Sequence, residues 1–192
     1  MATRQLKTLE QQEAWKVFRS SVDYSTVRIA DDLGLQERPW CSPPGWGGLP
    51  WFCLHVGTTN FNGNMKVLNP GLLIHEMTHV WQGQHNLPFW YVINSGCNQV
   101  SASIGGGSAY SVNSQTGQWK DYGAEQQGSI VQGWYTSGMS STDWRFRFIR
   151  DNVRPGAPMA LSQSTVTPSF NRLTPASLNL SRVTGTLFRR IR

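Results

Sequence analysis

His75, Glu76 and His79 stand in the order HEMTH, where two histidines lie four apart with an acid between them. A helix turns once in about 3.6 residues, so side chains at i and i+4 point the same way from adjacent turns. Two imidazole nitrogens can then reach one Zn²⁺ at roughly 2.0–2.1 Å. Glu76 is offset by about 100° around the helix, so it flanks the ion instead of binding it. There it can take the proton of a zinc-bound water whose pKa the metal has lowered towards ~7, the task of a general base in hydrolysis. The neighbours Leu72, Leu73, Ile74, Val80 and Trp81 predict a buried helix. Two buried histidines and a glutamate cost free energy unless something pairs with them, and a metal does.

A catalytic zinc takes three protein ligands and a water, so a third ligand is needed. After Glu76 the acids are Asp121, Glu125, Asp143 and Asp151, and the other histidines are His55 and His85. Two readings compete. In one, Glu125 of DYGAEQQGSIVQGWY supplies a carboxylate from a second helix, and the small residues Gly128 and Ser129 on its face allow close approach. In the other, His85 completes HEMTHVWQGQH in a near match to the metzincin pattern, with Met139 as a Met-turn. That pattern breaks the helix at a glycine three residues after the second histidine, and here Gln82 holds that place. If the helix continues, His85 lies ~15 Å along from His75.

The elements that must position these groups have their own signals. Asn69 is a good N-cap and Pro70 suits the first helical position, so a helix is predicted over LLIHEMTHVWQGQH. A second helix is predicted from about Tyr122 to Tyr135 and a short one over Asp143 to Asp151. Residues 7–20 read as an amphipathic helix with Leu9, Trp15 and Phe18 among polar residues. Val22 to Ala30 and Trp51 to Val56 read as strands, and RPWCSPPGWGGLP at 38–50 as loop. The Gly-, Ser- and Asn-rich stretch 94–119 reads as long loops or irregular short strands.

Composition bounds the rest. A chain of 192 residues at 39% hydrophobic, with nine Trp and eight Phe, can bury a core of its own. It has no apolar run long enough to span a membrane, and Met1 to Lys16 lack the apolar centre of a cleavable signal. The net charge of +6 sits in the tail, because residues 152–192 hold six Arg and no acid while 1–151 sum to zero. A solvated segment accounts for such a tail as well as an anionic partner does, and no nucleic-acid module accompanies it. Cys41, Cys53 and Cys97 show no metal-ligand spacing and read as buried thiols, though Cys41 and Cys53 could close a short disulfide. Among possible oxyanion donors, Tyr110, Tyr122, Tyr135 and His85 are each read first as structural. His55 reads as a satisfied core histidine, and Trp40, Trp46, Trp51 and Trp81 as packing with a cleft wall as the alternative.

LLIHEMTHVWQ, with EQQGSIVQGWY following so that Glu125 stands 46 residues after His79, resembles the metallopeptidase toxin domains of bacterial type VI secretion. AWKVFRSSVDYSTVRI upstream is loosely similar too, so the likeness covers roughly residues 10–140. Tyr122 and Glu125 match the second motif, and Gly128 stands where alanine is commoner. The resemblance implies an α+β, zincin-like domain in which His75, His79 and Glu125 bind zinc and Glu76 is the base. The resemblance does not extend to the Gly-rich 94–119 stretch or to the tail; composition and charge instead predict a catalytic domain over residues 1–154 and a basic Ser/Thr/Pro-containing extension over 155–192. The expected activity is zinc-dependent hydrolysis of a peptide bond by an antibacterial effector. The expected partners are a peptide or protein substrate, a cognate immunity protein and a secretion-spike or adaptor protein, with neither nucleic acid nor a membrane span. Delivery to the target-cell periplasm without a signal peptide goes with this reading. A zinc amidase cutting peptidoglycan peptides would use the same four residues. A non-catalytic module stabilised by zinc would instead need a closed site of four ligands, and would leave Glu76 without a task.

Overall fold

The computed structural model describes residues 1–34, 37–85, 112 and 116–156. They form a mixed α+β fold with a four-stranded sheet and helices packed against it. Strands β1 (Thr3–Gln5), β2 (Val27–Ala30), β3 (Trp40–Ser42) and β4 (Phe52–His55) lie in the order β1-β2-β4-β3. β2 and β4 run parallel with Val27 opposite Phe52, while β1 and β3 are antiparallel edges. Every residue of β4 is buried, as befits a central strand.

α1 (Thr8–Phe18) buries Ala14, Val17 and Phe18. At its start the Glu10 carboxylate accepts from Lys7 N, satisfying one of the donors a helix leaves open. Arg4 of β1 donates to both oxygens of the same carboxylate, and Met65 N donates to it as well. One acid thus ties the first strand, the first helix and α3 (Met65–Leu68) together.

α2 (Gly57–Asn62) and α3 lead into α4 (Pro70–Gln84), which carries the histidine motif. Asn69 Oδ1 accepts from Leu72 N and Pro70 opens the helix, as its sequence predicts. Leu73, Ile74, Met77 and Val80 are fully buried in the main core with Val27, Ile29, Leu54, Val131 and Trp134. Each such side chain contributes about 1.5–3 kcal/mol by leaving water, which holds α4 in place against its polar load. Gly83 matters here: a Cβ on it would stand 2.4 Å from Phe52 Cε1, so β4 reaches the helix only because the side chain is missing. α5 (Ala124–Thr136) packs along α4. A short α6 (Phe146–Phe148) continues into a π-helical turn, Ile149–Val153.

Several boundaries differ from the sequence expectations. The strand predicted from Val22 begins only at Val27, because Asp23 Oδ1 accepts from both Ser25 N and Ser25 Oγ and bends the chain into a 3₁₀ turn, Tyr24–Thr26. The predicted loop 38–50 contains β3, whose three residues pair with β4 before Pro43 ends the run. The first helix stops at Phe18, where Arg19 takes φ 55°. The stretch 86–111, with Cys97 and Tyr110, lies outside the described residues, as do residues 113–115 and the basic extension beyond Gly156.

Candidate metal centre

His75 and His79 project from α4 on successive turns, with ring centroids 5.0 Å apart and planes at 78°. Glu125 enters from the first turn of α5 and lies between the two imidazoles. Its Oε2 is 3.1 Å from His75 Nε2 and its Oε1 is 3.5 Å from His79 Nε2. Ligand atoms of the three residues all fall within 4.8 Å of one another, and all three side chains are buried. α4 runs unbroken past His79, and His85 turns the other way. Its ring stacks on Trp81 at 4.7 Å and its Nδ1 donates to Trp81 O at 2.9 Å. Of the two candidates for the third position, the structure brings Glu125 to the histidines and places His85 elsewhere. Met139 packs against the main core.

The helices come this close because of Gly128. Its missing side chain leaves the space that the His75 ring occupies. One turn further along the same helix, Gln132 Oε1 lies 3.1 Å from His75 Nδ1. His79 Nδ1 is 2.8 Å from Gln82 Oε1. A carbonyl oxygen only accepts, so each Nδ1 donates to its amide, and each Nε2, turned to the Glu125 carboxylate, is the nitrogen left for an ion once its own proton is given up. Both imidazoles are thereby set to offer Nε2 to a common ion.

The charges respond to this crowding. Burial disfavours a charged His79, but the hydrogen bond and charge of Glu125 outweigh it and lift the imidazole to about 9. Burial would raise Glu125 too, yet the two histidines hold it well below the usual carboxylate range. Glu76 behaves differently. Burial pushes its carboxyl above the ordinary value, and its Oε2 has no hydrogen-bond partner. A buried carboxylate oxygen without a partner is costly and calls for an occupant of the space beside it. The residues therefore fit a metal site: two imidazole nitrogens and a carboxylate can hold a divalent ion, with an acid standing next to it.

Several of the other described residues singled out by type fall into structural roles. Tyr135 donates its hydroxyl to Glu13 Oε1 at 2.8 Å, and Tyr122 packs edge-on against Phe148 at 5.5 Å. Cys41 and Cys53 are buried free thiols. His55 is bonded at both nitrogens, to Ser42 Oγ at 2.9 Å and Asp32 Oδ1 at 2.7 Å, beneath the stacked ring of Trp40. The order Ser42–His55–Asp32 is that of a serine-hydrolase relay, but Ser42 is only 1% exposed, so no substrate reaches its hydroxyl. It clamps the edge strand β3 to β4.

Gln82 and Gln127 are site residues that sequence reasoning missed, and Gln132 is read from the sequence only as sharing the Glu125 face of its helix. An amide has no chemistry of its own to flag, and its role depends on partners brought near by folding.

No family model matches the sequence. Over 154 residues, 73% of the chain, it is 31% identical to the type VI secretion system spike protein VgrG2b of Pseudomonas aeruginosa, of whose length it spans 14%. The effector domain of Pseudomonas aeruginosa VgrG2b superposes with a TM-score of 0.58 at 29% identity, covering 77% of this chain and 82% of that domain. In sequence and in fold, this chain is similar to the effector domain of a type VI secretion spike protein.

Proposed function

We propose that this chain is a zinc-dependent peptidase of zincin type that acts as a type VI effector toxin. The observation that carries the proposal is the buried cluster of His75, His79 and Glu125 beside the unpartnered oxygen of Glu76. His75 Nε2, His79 Nε2 and Glu125 would hold the ion. Two nitrogens and one carboxylate leave a fourth position open, the pattern of catalytic rather than structural zinc. When bound, the ion supplies Lewis acidity, polarising a carbonyl and making water a stronger acid.

The chain's own groups do the rest. Glu76 stands beside the cluster without belonging to it, and its raised pKa suits a base that must accept a proton and then return it to the leaving amine. The apolar wall of Leu73, Ile74, Met77 and Trp81 keeps α4 rigid, so the base and the ligands hold their spacing. The likeness to a spike-borne effector domain supports delivery by a type VI spike; action in the periplasm of a target bacterium and neutralisation by an immunity protein are further parts of the proposal.

Expression directed to the bacterial periplasm tests this. The parent should arrest growth and degrade a peptide substrate. Glu76→Gln should bind as much zinc but lose roughly 10²–10⁴-fold in rate. Equal toxicity of the two forms would remove hydrolysis from the account.

A further inference from the structure

Behind His79 lies a buried row of amides whose directions are all determined. Gln127 Nε2 donates to two backbone carbonyls, Trp119 O at 3.0 Å and Tyr122 O at 3.2 Å. Carbonyls only accept, so the nitrogen of Gln127 must face them and its Oε1 must face the other way. That oxygen accepts from Gln82 Nε2 at 2.8 Å. The same Gln82 nitrogen donates to Ala124 O at 3.2 Å, the residue before Glu125. With its nitrogen committed, Gln82 turns Oε1 to His79 Nδ1 at 2.8 Å. Gln82 is fully buried and Gln127 is 3% exposed, so water does not compete for these positions.

We infer that Gln82 and Gln127 form a polarity relay in which the backbone carbonyls of Trp119, Tyr122 and Ala124, in the segment leading into α5, dictate which nitrogen of His79 faces a metal. The inference rests on the metal reading above and deepens it. Each link permits one orientation. Turning Gln127 over would set its oxygen against Trp119 O and Tyr122 O. Turning Gln82 over would set oxygen against the oxygens of Gln127 and Ala124, and its NH₂ against the Nδ1 proton. His79 therefore keeps Nδ1–H and presents Nε2. The relay also binds the two ligand-bearing helices: one amide touches the ligand His79 on α4 and the backbone beside Glu125 on α5. Gln82 and Gln127 are thus positioning residues, acting through ligands they hold.

The relay makes an unusual demand. A carboxylate is a stronger acceptor than an amide and commonly backs a metal-binding histidine. If Gln82 only had to accept from His79, Gln82→Glu would hold zinc as well as the parent or better. Under the relay it does worse, because the carboxylate faces two acceptors, Gln127 Oε1 and Ala124 O. Zinc affinity by chelator competition should fall ~10-fold or more in Gln82→Glu. Gln127→Met, which touches no ligand, should lower it a few-fold, since Ala124 O alone then orients Gln82. In a histidine-selective nitrogen NMR spectrum, the His79 Nδ1–H should exchange with water about tenfold faster in Gln127→Met than in the parent, with circular dichroism confirming the fold. Undiminished zinc affinity in Gln82→Glu would overturn the relay. If that variant does not fold, unchanged affinity and proton exchange in Gln127→Met would overturn it. A parent that takes up no zinc would end the metal reading, and proton exchange in the metal-free protein would still decide the relay.

Discussion

Gly128 faces the His75 imidazole so closely that a Cβ at position 128 would stand 2.7 Å from His75 Cε1 and 3.0 Å from both ring nitrogens. The contact joins α5 to α4 at the candidate metal centre. Gly128→Ala in mid-helix gains up to about 1 kcal/mol in helix propensity. The added methyl nonetheless forces the ring, held at Nδ1 by Gln132, to yield. Zinc affinity is expected to fall several-fold, while the melting temperature of the metal-free protein changes little or falls, the propensity gain offsetting only part of the cost of moving the ring. Gly128→Val should abolish binding. Parental affinity in both variants would contradict the packing described.

Glu125 and His85 have opposite expectations. Glu125→Ala removes the one carboxylate between the histidines and should strip most of the zinc from the purified protein. His85→Ala removes a ring stacked on Trp81 and should leave zinc per chain near the parental value. Metal analysis of the two folded variants distinguishes them, and the reverse result would mean that the chain turns back after His79.

The pH dependence of folding should carry the mark of Glu10, which is fully buried. Burial alone would raise its carboxyl, but Arg4 and the backbone N–H groups of Met65 and Lys7 outweigh it and hold the pKa below the ordinary value of 4.5. A carboxyl depressed in the folded state stabilises above its unfolded pKa, and that contribution is lost as pH falls through the folded value. Glu10→Ala should cost roughly 3 kcal/mol at neutral pH, since it leaves a largely buried Arg4 without its partner. It should also flatten the loss of stability below about pH 4.5. Urea titrations of parent and variant at pH 7 and pH 3 measure both effects.

The parts of this molecule that sequence made legible are those where chemistry and local structure agree. Asn69, Pro70 and the His-x-x-x-His spacing all speak for one helix, and α4 begins where they place it. Glu125 was one of two candidates, and what decides its position is an unbroken α4 that leaves His85 pointing away. β3 could not be read because three residues are too few to show alternation, and pairing with β4 creates the strand. Asp23 hid the start of β2 for the opposite reason, a local side-chain bond prevailing over β-branched composition. The glutamines behind the histidines were invisible because Gln82 and Gln127 stand 45 residues apart.

Under the proposed function, His75, His79 and Glu125 share one ion beside Glu76. Crystals of the parent grown with zinc, measured on either side of the zinc absorption edge, test it directly. One anomalous peak is expected about 2.0–2.2 Å from His75 Nε2, His79 Nε2 and a Glu125 oxygen, with the Glu76 carboxylate close by but not bound. A peak bound by His85 in place of Glu125, or no peak between the two histidines, would contradict it.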